Sequence, residues 1–149
     1  MNDLTHSHEI RIRTDPEALW EAITNPVRTR EYWYGALNHS TWVPGARWTS
    51  ESSDGELYLE GEILEVDAPH RLVHTFHVIH EPVAAAEPPA RLTFEITESG
   101  NECRLLVLHE DLGPATLEYI EGGWEHILAG LKTFLENGRP LEAGELALA

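Results

Sequence analysis

Eight apolar residues toward the C-terminal end, Leu117, Ile120, Trp124, Ile127, Leu128, Leu131, Phe134 and Leu135, recur at helical spacing and form one stripe. A helix with a single apolar stripe has to bury it against something. Upstream, most apolar residues alternate with polar ones in strand-like runs, and only one other strong amphipathic helix is predicted, beginning at Asp15-Pro16. The long helix, expected over about residues 113–137, therefore takes a sheet as its partner. A sheet curved around one long helix leaves a cavity between them, which points to binding of a small apolar molecule.

The strand pattern is specific enough to order the elements. His8, Ile10 and Ile12 alternate with Glu9, Arg11 and Arg13, the signature of a half-buried first strand. Thr14-Asp15-Pro16-Glu17 supplies an N-cap and a proline at the first helical position, and Asn25-Pro26 closes that helix and opens a second short one over 27–33. Pro44-Gly45 and Asp54-Gly55 are turn signals around a strand at 46–50, after which Leu57, Leu59, Gly61 and Ile63 alternate with Glu56, Tyr58, Glu60 and Glu62. Leu64 and Val66 fall out of phase, which predicts a bulge. Three further runs follow: Leu72, His74, Phe76 and Val78; Leu92, Phe94 and Ile96; and Cys103, Leu105, Val107 and His109. The Pro- and Ala-rich segment 81–90 between the first two reads as a mobile loop.

The expected class is thus α+β, with about six antiparallel strands in the order β-α-α-β-β-β-β-β-α. One domain is expected over residues 1–149, with a core at about 8–138 and a tail at 139–149. Tail residues Leu141, Leu146 and Leu148 either fray or bury against this subunit or a second copy, so a homodimer is a candidate assembly.

Composition removes several function classes. A chain of 149 residues with 42% hydrophobic content buries a sufficient core without disulfides or a structural metal. The net charge of −16 is uneven: residues 1–50 hold 6 acids and 5 bases, residues 51–149 hold 20 acids and 5 bases. A nucleic-acid backbone is repelled by such a surface, since its binders need clustered Lys or Arg. No apolar run approaches the roughly 20 residues of a membrane helix, and the first residues lack the basic-then-apolar order of a signal peptide. A soluble, cytoplasmic protein with no membrane partner is expected. The lone Cys103 reads as a small core residue.

Chemistry-bearing motifs are sparse. There is no GxSxG elbow, phosphate loop or HExxH. On a strand His77 faces away from His74 and His80, and the latter two lie about 20 Å apart, so these three cannot share a metal. No metal, no cofactor and no catalytic residue is assigned. His74 and His109 fall on the core-side face, either as buried hydrogen-bonded groups or as ligand contacts. Trp20 is expected in the core, whereas Trp33, Tyr34, Trp42 and Trp48 cluster near one end, either as a lid or rim or as simple packing residues. The predicted ligand-binding set is Trp33, Tyr34, Trp48, Leu59, His74, Phe76, Phe94, His109, Tyr119 and Trp124. Gly122, Gly123 and Gly130 each cost the helix about 1 kcal/mol relative to alanine, so close packing or room for a ligand has to compensate.

One ordered series carries a resemblance: Ile10-Arg11-Ile12, Pro16-x-x-Leu19-Trp20-x-Ala22-Ile23-Thr24, Trp33-Tyr34-Gly35, Pro44-Gly45-Ala46-Arg47-Trp48, Gly61-Glu62-Ile63-Leu64-Glu65-Val66, Pro69-x-Arg71-Leu72-Val73-x-Thr75-Phe76 and Gly123-Trp124-x-x-Ile127-Leu128-x-x-Leu131. Over about residues 8–138 it resembles the heat-shock protein 90 ATPase activator homologue family of the START-related, pollen-allergen-like SRPBCC superfamily. The resemblance implies a helix-grip fold and a bacterial protein of the kind without an assigned ligand. Two alternatives to ligand carriage follow from it: a polyketide cyclase- or hydrolase-like enzyme using His74 and His109, and a chaperone-associated interaction module. The family commonly has two tryptophans where this chain has Trp33-Tyr34, and residues 38–42 extend the adjoining loop, so a different pocket mouth is expected.

Overall fold

The computed structural model describes residues 4–137. In chain order the elements are β1 (Leu4–Ile12), α1 (Pro16–Thr24), α2 (Pro26–Tyr32), β2 (Leu37–His39), β3 (Arg47–Glu51), β4 (Leu57–Asp67), β5 (Arg71–Val78), α3 (Pro82–Ala85), β6 (Ala90–Ser99), β7 (Glu102–Leu112), α4 (Pro114–Ile120) and α5 (Gly123–Asn137). Among the described residues the strands form one antiparallel sheet in the order β1-β7-β6-β5-β4-β3-β2. Its concave face holds the C-terminal helices. The expected α+β helix-grip architecture is what the chain adopts, with a seventh strand added by the short β2 inside the predicted loop extension. The tail residues Leu141, Leu146 and Leu148 lie outside the described residues.

Local chemistry explains the element boundaries. Asp15 accepts from the Ala18 N–H at 2.7 Å and Asn25 from the Val27 N–H at 3.0 Å, each followed by proline at the first helical position. The predicted bulge in β4 is present, as the pairing of β4 with β5 shifts between Ile63 and Glu65. Cys103 is buried, as expected for a small core residue.

Two expectations are corrected. The long C-terminal helix is two helices, because Gly122 adopts φ +78 between α4 and α5. Only glycine takes this left-handed conformation without penalty, so the chain turns there while Ile120 and Trp124 both remain buried. Gly130 keeps its expected role. A Cβ at this position would sit 3.2 Å from Tyr32 Cβ, so α5 packs tightly over α2.

The second correction concerns residues 81–90, expected as a mobile loop. They contain α3, and the Glu87 carboxylate accepts from the Ala115 N–H at 2.9 Å, the Thr116 N–H at 2.8 Å and the Thr116 hydroxyl at 2.7 Å. The N-cap of α4, Gly113, has no side chain to do this, and a Cβ on it would overlap the Glu87 carboxylate. Glu87 is thus a cap supplied from another part of the chain. Partial desolvation raises its pKa, but the bonds from Thr116 and Ala115 outweigh it and hold the carboxyl below its ordinary range. Glu87→Ala is expected to lower stability by about 1–2 kcal/mol in urea denaturation and to speed amide exchange at Ala115 and Thr116. Unchanged exchange at those two amides would remove the capping role.

The convex face carries cross-strand Arg–Glu pairs, including Arg47–Glu60, Arg71–Glu95 and Arg104–Glu9. Exposed pairs of this kind contribute about 0–1 kcal/mol each. They describe a solvated acidic surface.

Candidate functional site

Between the concave face and the α4–α5 corner lies a cavity of about 540 Å³, inside the range of about 300–1,000 Å³ usual for small-molecule sites. Trp33, at the end of α2, and Trp124, on α5, meet edge to face with centroids 5.3 Å apart and form one wall. Phe76, Leu59 and Ser50 come from the sheet, and Ile120 and Ile127 from the helices. The glycine corner Gly122-Gly123 lines the cavity too, so the break between α4 and α5 shapes the site.

The mouth is aromatic. Tyr34 is exposed, has φ +50, and stacks on His126 at 4.3 Å. A non-glycine residue held in the left-handed region stores about 1–3 kcal/mol of strain, a cost commonly found at binding sites. Of the other lining tyrosines, Tyr58 stacks on His80 at 4.3 Å, and the Tyr119 hydroxyl lies 3.4 Å from His80 Nδ1. Burial, then the nearby Tyr58, pushes the Tyr119 phenol up to about 12, so it stays a neutral donor.

Six of the ten residues expected to bind a ligand line this cavity: Trp33, Tyr34, Leu59, Phe76, Tyr119 and Trp124. Trp48, His74, Phe94 and His109 are not among its lining residues. They form a fully enclosed aromatic layer on the sheet side, with Trp48 stacked on His74 at 4.3 Å and Phe76 edge-on to His109 at 4.5 Å. Of the two roles open to Trp48, rim or packing, the structure takes packing: it is 1% exposed on β3, because Trp48 and Ser50 share the inward face of that strand. Trp42 packs against the core and does not line the cavity.

Tyr58, Ser50 and Ser52 are lining residues that alternation did not identify. Strict alternation puts Tyr58 with the solvent-facing glutamates. The β3–β4 pairing, however, slips between Ser50 and Glu51, and an irregularity of that kind twists the strand end.

The two enclosed histidines are neutral. His74 Nδ1 donates to the Thr75 carbonyl at 2.7 Å, and burial, partly offset by that bond, lowers its pKa to about 4. His109 is lowered to about 3, by burial first and then by the charges His74 and His6 would carry. Trp124 Nε1–H, which can only donate, reaches His109 Nδ1 at 3.3 Å, so that nitrogen is the acceptor. The single proton of the neutral ring is therefore on Nε2, which is buried without a partner among the described residues. An unmatched buried donor costs about 1–3 kcal/mol. It lies one side chain behind the cavity wall, flanked by Phe76 and Trp124. No carboxylate is bonded to either imidazole among the described residues.

A family model described as Activator of Hsp90 ATPase homolog 1-like protein matches residues 13–136. No protein of curated function matches significantly. Among solved structures, protein MLL2253 from Mesorhizobium loti is similar at 23% identity and TM-score 0.76, covering 90% of this chain and 98% of that one. PFC0360w from Plasmodium falciparum, described as an HSP90 activator, is 19% identical with TM-score 0.72 over 92% of this chain and 98% of its own. The Aha1 dimer from Colwellia psychrerythraea is 16% identical with TM-score 0.70, covering 91% and 98%. At these identities the structures establish the shared fold, while the family match spans most of the chain. The chain belongs to the Activator of Hsp90 ATPase homolog 1-like protein family.

Proposed function

We propose that this protein binds a small, neutral, largely apolar molecule in the cavity between sheet and α4–α5. The carrying observation is the cavity itself, walled by Trp33, Phe76, Leu59, Ile120 and Trp124, with a few polar groups for orientation, among them the hydroxyls of Ser50, Ser52 and Tyr119 and, at the α4–α5 corner, Glu121. The unpartnered His109 proton supports a ligand that carries a hydrogen-bond acceptor and reaches past Trp124. Carriage is favoured over catalysis because both histidines are neutral and enclosed, and among the described residues neither is oriented by a carboxylate as a general base usually is. The acidic surface fits neither an anionic ligand nor nucleic acid, and no helix among the described residues is long and apolar enough to cross a membrane.

A second reading, contact with an Hsp90 chaperone, is favoured by the family and by the likeness to the Plasmodium falciparum protein described as an HSP90 activator. Self-association, suggested by the Colwellia psychrerythraea dimer, is compatible with either. A thermal-shift panel of fatty alcohols, sterols, flavonoids and polyketide-like aromatics separates the two readings. Ligand carriage is expected to give at least one stabiliser, with a rise in Tm that grows with ligand concentration. A panel without a stabiliser, together with stimulation of purified Hsp90 ATPase by the chain, would replace ligand carriage with chaperone contact.

A further inference from the structure

Outside the cavity, three potential ligand atoms converge where β1 meets the first turn of α5. His6 and His8 are two residues apart on a strand and so share a face. Their register partners, His109 and Val107, place that face on the concave side, toward the helix. Their Nε2 atoms lie 2.6 Å apart, and His8 Nε2 lies 3.3 Å from Glu125 Oε1. One donor atom from each of the three residues falls within 4.8 Å of the others.

We propose that His6, His8 and Glu125 form a binding site for a divalent transition-metal ion of the zinc type, joining the edge strand β1 to α5. Two imidazole nitrogens and one carboxylate are a donor set suited to Zn²⁺, with water as the fourth ligand in a site left open to solvent. Zn–N and Zn–O bonds of about 2.0–2.2 Å in a tetrahedron place neighbouring donor atoms about 3.3–3.5 Å apart. The His8–Glu125 separation of 3.3 Å already matches. The His6–His8 pair has to open by about 0.7 Å to reach the same tetrahedral edge, a small side-chain rotation. Two nitrogen lone pairs facing each other repel unless a proton or a cation lies between them, and a cation also satisfies the carboxylate. The side chains of His8 and Glu125 are 19% and 59% exposed, which leaves an entry path and a place for water. None of the three residues lines the cavity, so this site stands or falls independently of the ligand reading.

The test uses the full chain, freed of metal by a chelator and titrated with Zn²⁺ by calorimetry and with Co²⁺ by visible absorption. One equivalent of Zn²⁺ is expected to bind and raise Tm, and Co²⁺ is expected to show the intense bands of a four-coordinate site. Even outer-shell partners are worth about 10–100-fold in metal affinity, so His8→Gln and Glu125→Gln are each expected to weaken binding at least about tenfold. His70→Gln, at an exposed turn, serves as the control that leaves binding unchanged. Glu125 is largely exposed, so its variant keeps the test valid if His8→Gln perturbs folding. Absence of saturable binding, or one-equivalent binding that survives Glu125→Gln and His8→Gln, overturns the site.

Discussion

Replacing Gly61 with alanine is expected to lower the free energy of unfolding by about 3 kcal/mol or more. Strand propensity alone gives the opposite sign, because alanine in place of a strand glycine gains about 0.5–1 kcal/mol. Sterics decide the outcome. A Cβ at Gly61 would overlap the Thr75 carbonyl oxygen and lie 2.7 Å from its carbon, and both are backbone atoms that cannot rotate away. The Thr75 carbonyl is also the acceptor for buried His74, and the Thr75 hydroxyl receives the Glu62 N–H at 2.8 Å. Gly61 thus keeps open the gap in the β4–β5 ladder through which His74 is satisfied. Moving Thr75 would strand a buried imidazole N–H in addition to straining the pairing. The check is urea denaturation of Gly61→Ala at neutral pH. A variant within about 0.5 kcal/mol of the parent would show that β4 and β5 yield more easily than a packed sheet should.

Acidification provides the second large effect. His74 and His109 are depressed in the folded state to about 4 and about 3, both chiefly by burial. In the unfolded chain each titrates near about 6.5. Below that value the unfolded state binds protons that the folded state refuses, so stability is fully present above pH about 6.5 and is lost as pH falls toward the folded values. With both groups contributing, the slope approaches about 2.7 kcal/mol per pH unit near pH 5. Glu87 and Glu136, held below their ordinary range, add to the loss only below about pH 4.5. The histidine window is therefore separable from theirs. His109→Gln keeps an acceptor for Trp124 and removes one titration, so its slope in that window is expected to fall by about half. Stability that stays flat between about pH 6.5 and 5 would mean that the two rings are not held neutral.

The parts of the fold that follow from period are legible in the sequence. The two-residue alternations of β1, β4, β5, β6 and β7 specify which face is buried, and Asp15-Pro16 and Asn25-Pro26 specify two helix starts through side-chain capping. The break at Gly122 was not, because Ile120 and Trp124 keep helical spacing across it, and periodicity cannot distinguish a continuous helix from one turned at a left-handed residue. The glycine pair was visible, but its use as a corner depends on φ. For the site, alternation correctly put His74 and His109 on the concave face. Depth was another matter: a period of two gives a side and not a layer, so it could not separate these two rings from Phe76, which lines the cavity. Tyr58 was hidden by the irregular register beside it. The pairing of His6 with Glu125 is not legible in the sequence, because the two lie more than a hundred residues apart and only the meeting of β1 with α5 makes them neighbours.

The most direct test of ligand carriage is a fluorescence titration with a neutral apolar naphthylamine probe, comparing the native chain with Ile127→Trp. Ile127 lines the cavity, and an indole there occupies its volume at a cost of about 1–3 kcal/mol of stability, leaving a fold that circular dichroism can verify. Saturable one-to-one binding to the native chain is expected, with quenching of Trp33 and Trp124 by the probe, and an affinity reduced at least about tenfold in the filled variant. Absence of saturable binding, or binding of equal affinity in Ile127→Trp, would contradict it.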